Sequence, residues 1–110
     1  MIDFNVFRIF SKTADEVKAA ELFAEEINVR TGKRPEFSAD SSTANFIFKT
    51  DESVSRDGYR IECLSDSVTV FASGIRGFIY GFGMFLRKIV PVCGVPVLTE
   101  DITGEYAPDK

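Results

Sequence analysis

The segment at residues 73–89, SGIRGFIYGFGMFLRKI, constrains the fold most, because it combines a helical pattern with four glycines. Its large apolar residues recur at steps of four and three, which predicts one apolar helix face. They are Ile75, Ile79, Phe82, Leu86 and Ile89. Glycine in a helix interior costs up to about 1 kcal/mol relative to alanine. We therefore expect these glycines to serve a purpose that a larger residue would prevent.

These glycines could serve a membrane span, a phosphate-binding loop or close packing, and the first two do not fit the sequence. A membrane span needs about 20 apolar residues, whereas ten residues separate Arg76 from Arg87. A phosphate-binding loop needs GxGxxG or a following GK[ST], and neither is present. Close packing remains, because Gly77 and Gly81 lie one turn apart and leave one side of the helix bare. The sequence predicts that another backbone approaches there.

The length and charge of the chain limit its domain count and its partners. Its 110 residues suit one domain, and 45% of them are hydrophobic, which is enough for one core. The formal net charge is −4. An acidic domain with scattered basic residues lacks the positive surface that nucleic acids and anionic membranes attract. We expect neither nucleic acid nor membrane as a partner.

The chain contains no histidine, which excludes several kinds of active site. A Ser-His-Asp triad, a Cys-His pair and an imidazole metal site all need that residue. Cys63 and Cys93 are thirty positions apart and form no CxxC pair, so two buried free thiols and one disulfide both stay open. We therefore expect none of these three kinds of site, and we predict no metal and no cofactor for this chain.

The N-terminal segment MIDFNVFRIF is not a signal peptide, because it lacks a basic region and contains Asp3. A leader removed from a longer precursor stays open. The compartment is therefore unknown, and a secreted or periplasmic parent protein is compatible with the sequence.

The first half of the chain predicts a strand followed by a helix. Apolar residues alternate over residues 5–10, which is typical of a strand. Thr13 followed by Glu16 forms a capping-box pattern at the start of a helix that runs to about Arg30, and Gly32 is a plausible stop. The predicted buried stripe is Val17, Ala20, Phe23, Ala24 and Ile27. The predicted solvent face includes Glu16, Lys18, Glu21, Glu25 and Glu26.

Four further strands are predicted between the two helices, near Phe37 and at residues 45–49, 58–64 and 67–72. Only Ser65 and Asp66 separate the last two, which favours a two-residue hairpin loop. In the segment LTEDITGEYAPDK, residues 98–110, the chain becomes polar and loses periodicity. The sequence thus predicts a single α+β domain at residues 1–95 and a polar C-terminal tail or linker at residues 96–110.

Residues 57–89 resemble a motif near the N-terminus of several glycoside hydrolases, including β-N-acetylhexosaminidases and α-glucuronidases. The motif is a strand with Gly-Tyr, a hairpin, a strand ending in Ala-Ser, and a helix led by Arg-Gly-x-x-Tyr-Gly. Its positions here are Gly58, Tyr59, Arg76, Gly77, Tyr80 and Gly81. The resemblance covers roughly residues 5–90.

The resemblance implies a two-layer α+β domain, with a mainly antiparallel sheet of about four to six strands and two helices on one face. Such domains carry no catalytic residue and precede a catalytic barrel, which is the expected partner. The six motif residues are assigned a structural role. Tyr59 and Tyr80 are expected to be packed with their hydroxyls at the edge, and Arg76 to pair with Asp57 or Glu62 or to contact a neighbouring domain.

The predicted function is that of a non-catalytic N-terminal accessory domain that supports the catalytic domain of a glycoside hydrolase. The alternative is a stand-alone module that binds carbohydrate or another protein. Calorimetric titration with oligosaccharides separates the two.

Overall fold

The first helix has the ends that the sequence predicts. A computed structural model describes residues 2–106, in which helix α1 comprises Ala14–Thr31. The Thr13 hydroxyl accepts a hydrogen bond from the Glu16 N–H, and the Glu16 carboxylate accepts one from the Thr13 N–H, both at 3.3 Å. Gly32 ends the helix with φ of 74°, and its N–H donates to the Asn28 carbonyl at 2.8 Å. The predicted capping box and stop are confirmed.

A six-stranded sheet forms one layer of the domain. Its strands are β2 (Arg8–Phe10), β3 (Glu36–Phe37), β4 (Phe46–Thr50), β5 (Tyr59–Cys63), β6 (Val68–Ala72) and β9 (Gly104–Tyr106). Their spatial order is β3-β2-β4-β6-β5-β9. The predicted α+β class, with two helices and up to six strands, is confirmed.

This sheet is mixed in direction. β2 runs parallel to β3 and to β4, and β4 runs parallel to β6, whereas β5 is antiparallel to both β6 and β9. The parallel pair β2–β4 arises because α1 carries the chain back to the end at which β2 started. Antiparallel pairing, which the sequence predicts for most of the sheet, is therefore confined here to the hairpin and the β9 edge.

The β5–β6 hairpin forms where the sequence predicts it. The Leu64 N–H donates to the Ser67 carbonyl at 2.9 Å, which leaves Ser65 and Asp66 as the two loop residues. Ile61 and Val70 are fully buried and stand opposite each other in the two strands.

Phenylalanine rings from the sheet and both helices form the core. The Phe23 ring of α1 stacks on Phe46 at 4.3 Å between centroids. Helix α2, Ile75–Lys88, places Phe85 edge-on against the Phe46 ring, at 4.7 Å between centroids. Phe78 of α2 meets Phe48 edge-on at 5.6 Å. Both helices therefore cover the same face of the sheet, as the resemblance implies.

A second, smaller sheet follows α2. Strands β1 (Ile2–Asp3), β7 (Ile89–Val92) and β8 (Val95–Leu98) are antiparallel in the order β1-β8-β7. Cys93 and Gly94 form the tight turn between β7 and β8, with φ of 51° and 80°. Both values are positive, as in the type I′ turns that join antiparallel strands.

The segment expected to be a polar tail, residues 96–110, contributes to the fold as far as Tyr106. It supplies most of β8 and all of β9, which pairs with β5 along the edge of the larger sheet. Ile102 is buried, and the Tyr106 ring stacks on Tyr59 at 5.2 Å. The folded domain thus extends past residue 95 to Tyr106. Residues 107–110 lie outside the described part of the chain. That a linker leads from here to another domain stays a prediction.

Candidate interdomain surface

Two glycines of α2 face the sheet at close range. A Cβ atom placed on Gly77 would overlap the carbonyl oxygen of Gly58 and would lie 2.7 Å from the Cβ of Ala72. A Cβ atom on Gly81 would lie 2.5 Å from Cγ1 of Val70. No real Cβ atom tolerates such distances. At these two positions the helix lies so close to the sheet that only glycine fits.

The buried face of α2 is rotated relative to the predicted stripe. Phe78 and Phe85 are fully buried, together with Gly77 and Gly81, whereas Ile79 is 37% exposed. The prediction that Ile79 lies in the core is therefore wrong. Gly77 and Gly81 face the sheet and are buried, but the apolar pattern counts only large side chains and therefore does not mark these two positions.

Asp57 and Arg76 meet just beside the Gly58–Gly77 contact. Asp57 adopts φ of 64°, an uncommon backbone conformation for a residue other than glycine. Its carboxylate lies 3.6 Å from Nη1 of Arg76, the residue before Gly77. Arg76 thus pairs with Asp57, one of the partners expected for it. Because the Arg76 side chain is 70% exposed, this pair contributes little to stability.

The two motif tyrosines have different surroundings. Tyr59 is 5% exposed and packed between Gly81 and the Tyr106 ring, as expected. Tyr80 is 43% exposed, so the expectation that it is packed is wrong. This exposure follows from the orientation of α2, because the helix face that contacts the sheet includes Gly77 and Gly81, and Tyr80 lies outside that face.

The outward side of α2 carries a stripe that we call the α2 outer stripe. It consists of Arg76, Ile79, Tyr80, Gly83 and Arg87. The spacing of three, four and seven residues places all five on one helix face. Helix α2 contains no aspartate or glutamate, although the whole chain is acidic. The sequence prediction missed Ile79, Gly83 and Arg87 as surface features; the two arginines eleven positions apart were the available signal.

In helix α1, the buried carboxylate of Glu16 links the helix to the larger sheet. Glu16 is 4% exposed, so its predicted place on the solvent face is wrong, and Val17 is instead 41% exposed. One Glu16 oxygen accepts from the Lys12 and Thr13 N–H groups, and the other accepts from the Thr50 N–H at 3.0 Å and its hydroxyl at 2.6 Å. The cap thus fastens α1 to the end of β4.

The pKa of Glu16 reflects two opposing influences. Burial raises the pKa of this carboxyl, but the hydrogen bonds from the Thr50 side chain and from the backbone of Lys12, Thr50 and Thr13 together outweigh it. The pKa therefore lies below its ordinary value of 4.5. This carboxylate is arranged to be charged and held in place, which is unlike a general acid, whose pKa is normally raised.

The open face of the larger sheet holds a shallow cleft of about 440 Å³ that includes Phe71, Glu62 and Thr69. The Arg60 guanidinium lies 4.2 Å above the Phe71 ring and is fixed by Asp51 at 2.9 Å. Sugar rings stack on uncovered aromatic faces, and here Arg60 already occupies one. A sugar ring would have to displace the Arg60 guanidinium from Phe71 in order to stack there, so the cleft gives little support to the carbohydrate-binding alternative.

Within residues 2–106, no three or more histidine, cysteine or acidic side chains are grouped so that they could hold a metal ion. In the same part of the chain, no helix has both the length and the apolar character needed to cross a membrane. Cys63 and Cys93 form no disulfide, and Cys93 is exposed at the turn of the β7–β8 hairpin rather than buried.

The family model for glycosyl hydrolase family 20, domain 2, matches residues 5–97. The chain belongs to this family. A family 20 domain 2 is a non-catalytic accessory domain found at the N-terminal side of glycoside hydrolases, as the sequence resemblance predicts. No curated protein matches the chain by sequence.

Solved family 20 structures share the fold of this domain. The GH20 β-N-acetylhexosaminidase from Streptomyces coelicolor A3(2) superimposes with a TM-score of 0.74 at 19% identity, over 94% of this chain and 22% of that one. The β-N-acetylhexosaminidase from Bacteroides fragilis NCTC 9343 gives 0.66 at 17% identity, over 94% and 19%. A mutant Streptomyces plicatus β-hexosaminidase gives 0.68 at 17% identity, over 79% and 18%. The chain spans about a fifth of the length of these enzymes.

Proposed function

We propose that this family 20 domain 2 is the N-terminal accessory domain of a β-N-acetylhexosaminidase and supports the catalytic barrel by packing against it. The family match over residues 5–97 carries the proposal. The similar enzymes are about five times as long as the part that aligns with this chain, which covers 19% and 22% of their length, so the chemistry of such enzymes has ample room outside this domain. The domain itself contributes contact and no catalytic group.

The surface of the domain supports a packing role. Its exposed large apolar side chains include Ile79 and Tyr80, which are neighbours on one helix. Glu16 is a buried carboxylate, and its hydrogen bonds join α1 to Thr50 of the same domain. These hydrogen bonds lower its pKa. A catalytic carboxylic acid in a glycosidase would need a raised pKa and access to substrate.

The test begins with the coding sequence on both sides of this chain. If it encodes a barrel, the parent enzyme is produced with and without residues 1–106, and hydrolysis of an aryl N-acetyl-β-glucosaminide is measured together with thermal inactivation. We expect the 110-residue chain alone to be inactive, and the shortened parent to inactivate at lower temperature. Equal stability of the two parent forms would contradict the supporting role.

Two outcomes would replace the proposal. Hydrolysis by the 110-residue chain, abolished by substitution of an acidic residue, would make the domain an enzyme. Coding sequence that ends at both borders of the chain, together with saturable heats on titration with chito-oligosaccharides, would support a stand-alone carbohydrate-binding module.

A further inference from the structure

We propose that a pocket between the end of α1 and the β7–β8 hairpin binds a small carboxylic acid with an aromatic or branched aliphatic body. We call it the hairpin pocket. It is lined by residues 4–7, by Ile27 and Thr31, by residues 33–36 and by residues 94–96. This inference goes beyond the proposed function and does not depend on it, because the lining belongs to this domain.

The floor of the hairpin pocket is apolar. Phe4, Phe7 and Ile27 are buried, and the Phe4 and Phe7 rings stack at 4.6 Å between centroids. Val95 and Pro96, which are half-buried in β8, add an apolar wall. Ligand pockets are mostly apolar in this way, with a few polar groups that orient the ligand. The floor therefore selects an apolar body rather than a sugar, whose hydroxyl groups would lose hydrogen bonds to water there.

Backbone hydrogen bonds hold the walls of the pocket in place. The Phe4 N–H donates to the Pro96 carbonyl at 2.8 Å, which fixes the N-terminal segment against β8. The Glu36 N–H donates to the Phe7 carbonyl at 2.8 Å, which fixes the segment after α1 on the other side. A ligand therefore does not have to order these walls when it binds. The volume is about 170 Å³, which holds about ten non-hydrogen atoms at the density of protein interiors.

Two cations stand at the mouth of the hairpin pocket. Lys33 and Arg34 follow the Gly32 stop of α1, line the pocket and are exposed. Among residues 2–106, no carboxylate forms an ion pair with either side chain. The planar guanidinium of arginine matches the geometry of a carboxylate and is always charged. A ligand whose apolar body lies on the floor meets these cations at the mouth, which favours a carboxylate.

Two features of the pocket act against a negative charge and limit how much charge the ligand carries. Glu36, which is exposed, also lines the pocket, so one carboxylate stands against two cations. The C-terminal end of α1 carries partial negative charge. Part of it is satisfied, because the Gly32 N–H donates to the Asn28 carbonyl at 2.8 Å. The Thr31 hydroxyl likewise donates to the Ile27 carbonyl at 2.7 Å. This balance suits a monocarboxylate rather than a dianion.

Titration of the isotope-labelled 110-residue chain with 3-phenylpropionate, followed by NMR, tests the pocket. We expect saturable shifts of the Phe7, Gly94 and Val95 amide signals, with a Kd below about 1 mM. The control ligand 3-phenylpropanamide has the same shape and no charge. It should bind about fivefold more weakly, as for the loss of exposed ion pairs. The amide signals of Glu62 and Phe71, in the cleft on the open face of the larger sheet, should not move.

Two variants separate charge from space. Lys33→Gln combined with Arg34→Gln should lower the affinity for 3-phenylpropionate about fivefold and leave that for the amide unchanged. Both side chains are exposed, so the melting temperature should stay the same. Val95→Phe should fill the pocket and abolish binding of both ligands. A Val29→Leu variant, 78% exposed on α1 and outside the lining, should bind as the wild type does.

Equal affinity for the acid and the amide would overturn this inference. So would shifts confined to the cleft that includes Phe71, or a lack of saturation by phenylacetate, 3-phenylpropionate and 4-methylpentanoate at about 10 mM. Binding to the 110-residue chain that is lost in a longer parent protein would also overturn it, in favour of a segment of the parent as the occupant. None of these outcomes decides the accessory role, which the deletion of residues 1–106 tests separately.

Discussion

The carbonyl oxygen of Gly58, the residue before β5, lies so close to Gly77 of α2 that no methyl group fits between them. Backbone atoms make this contact on both sides, so neither partner can move aside as a flexible side chain would. We expect Gly77→Ala to lower the free energy of unfolding by about 1–3 kcal/mol through overpacking. Denaturant unfolding of the 110-residue chain measures this change.

Gly83→Ala is the matched control for that substitution, because both glycines lie in the interior of α2. With only Arg87 Nη1 nearby, alanine at residue 83 should raise the free energy of unfolding by up to about 1 kcal/mol. A Gly77→Ala variant as stable as the wild type would contradict the close-packing explanation.

Glu16→Gln should reduce stability at neutral pH and should flatten the acid side of the stability profile. The folded-state pKa lies below 4.5, so the stabilising contribution of the carboxylate is complete above the unfolded pKa and disappears as the pH falls through the folded value. At neutral pH we expect a loss of about 1–3 kcal/mol, because hydrogen bonds to a charged acceptor are removed. Urea unfolding between pH 3 and 7 gives both quantities.

In that series the difference between wild type and Glu16→Gln isolates this one group, since Asp40, Asp51 and Asp101, whose pKa values are also lowered, are present in both proteins. A difference that stays constant from pH 7 down to pH 3 would show that the Glu16 carboxylate is not linked to folding in this way.

Removal of residues 99–110 should destabilise the domain. Burial of Ile102 alone contributes about 1.5–3 kcal/mol, and the Tyr59–Tyr106 stack adds about 0.5–1.5 kcal/mol. We expect a loss of at least about 2 kcal/mol in denaturant unfolding. Tyr106→Phe, which removes only the hydroxyl bond to the Ile102 carbonyl at 2.7 Å, should lose about 0.5–1.5 kcal/mol. An unchanged midpoint after the deletion would contradict the role assigned to β9.

Arg76→Ala should hardly change the stability of the isolated chain. The Arg76–Asp57 pair is exposed and 3.6 Å long, and such pairs contribute about 0–1 kcal/mol. The structural role assigned to Arg76 by its motif predicts a larger loss. Thermal unfolding of the variant at low and high salt distinguishes the two, because an exposed pair is screened by salt.

The sequence predicted those features that depend on local chemistry. The capping box at Thr13, the stop at Gly32 and the Ser65–Asp66 loop each follow from a few adjacent residues, and all three are present. Parallel pairing of β2 with β4 depends instead on residues far apart in the chain, which no local pattern encodes. Strand β9 was missed because a three-residue strand with a glycine and a glutamate has no recognisable period.

The errors at the candidate surface share one physical cause. Periodicity marks large apolar residues as buried, whereas the closest contacts of α2 are made by Gly77 and Gly81. If those glycines are treated as core residues, the predicted buried face of α2 is centred closer to them, and Ile79 and Tyr80 are then predicted to be exposed. Glu16 was misplaced for a related reason, because its burial depends on Thr50, which is 34 positions away.

The β7–β8 hairpin has a consequence for the behaviour of the domain at high concentration. β7 is an edge strand with Val90 and Val92 about half exposed, which is the kind of edge that recruits strands from other molecules into aggregates. Pro91 lies between these valines, directly opposite Pro96, and has no N–H to offer an incoming strand. A single imino acid thus interrupts the hydrogen-bonding ladder that aggregation would need, and the valines stay exposed without becoming a template.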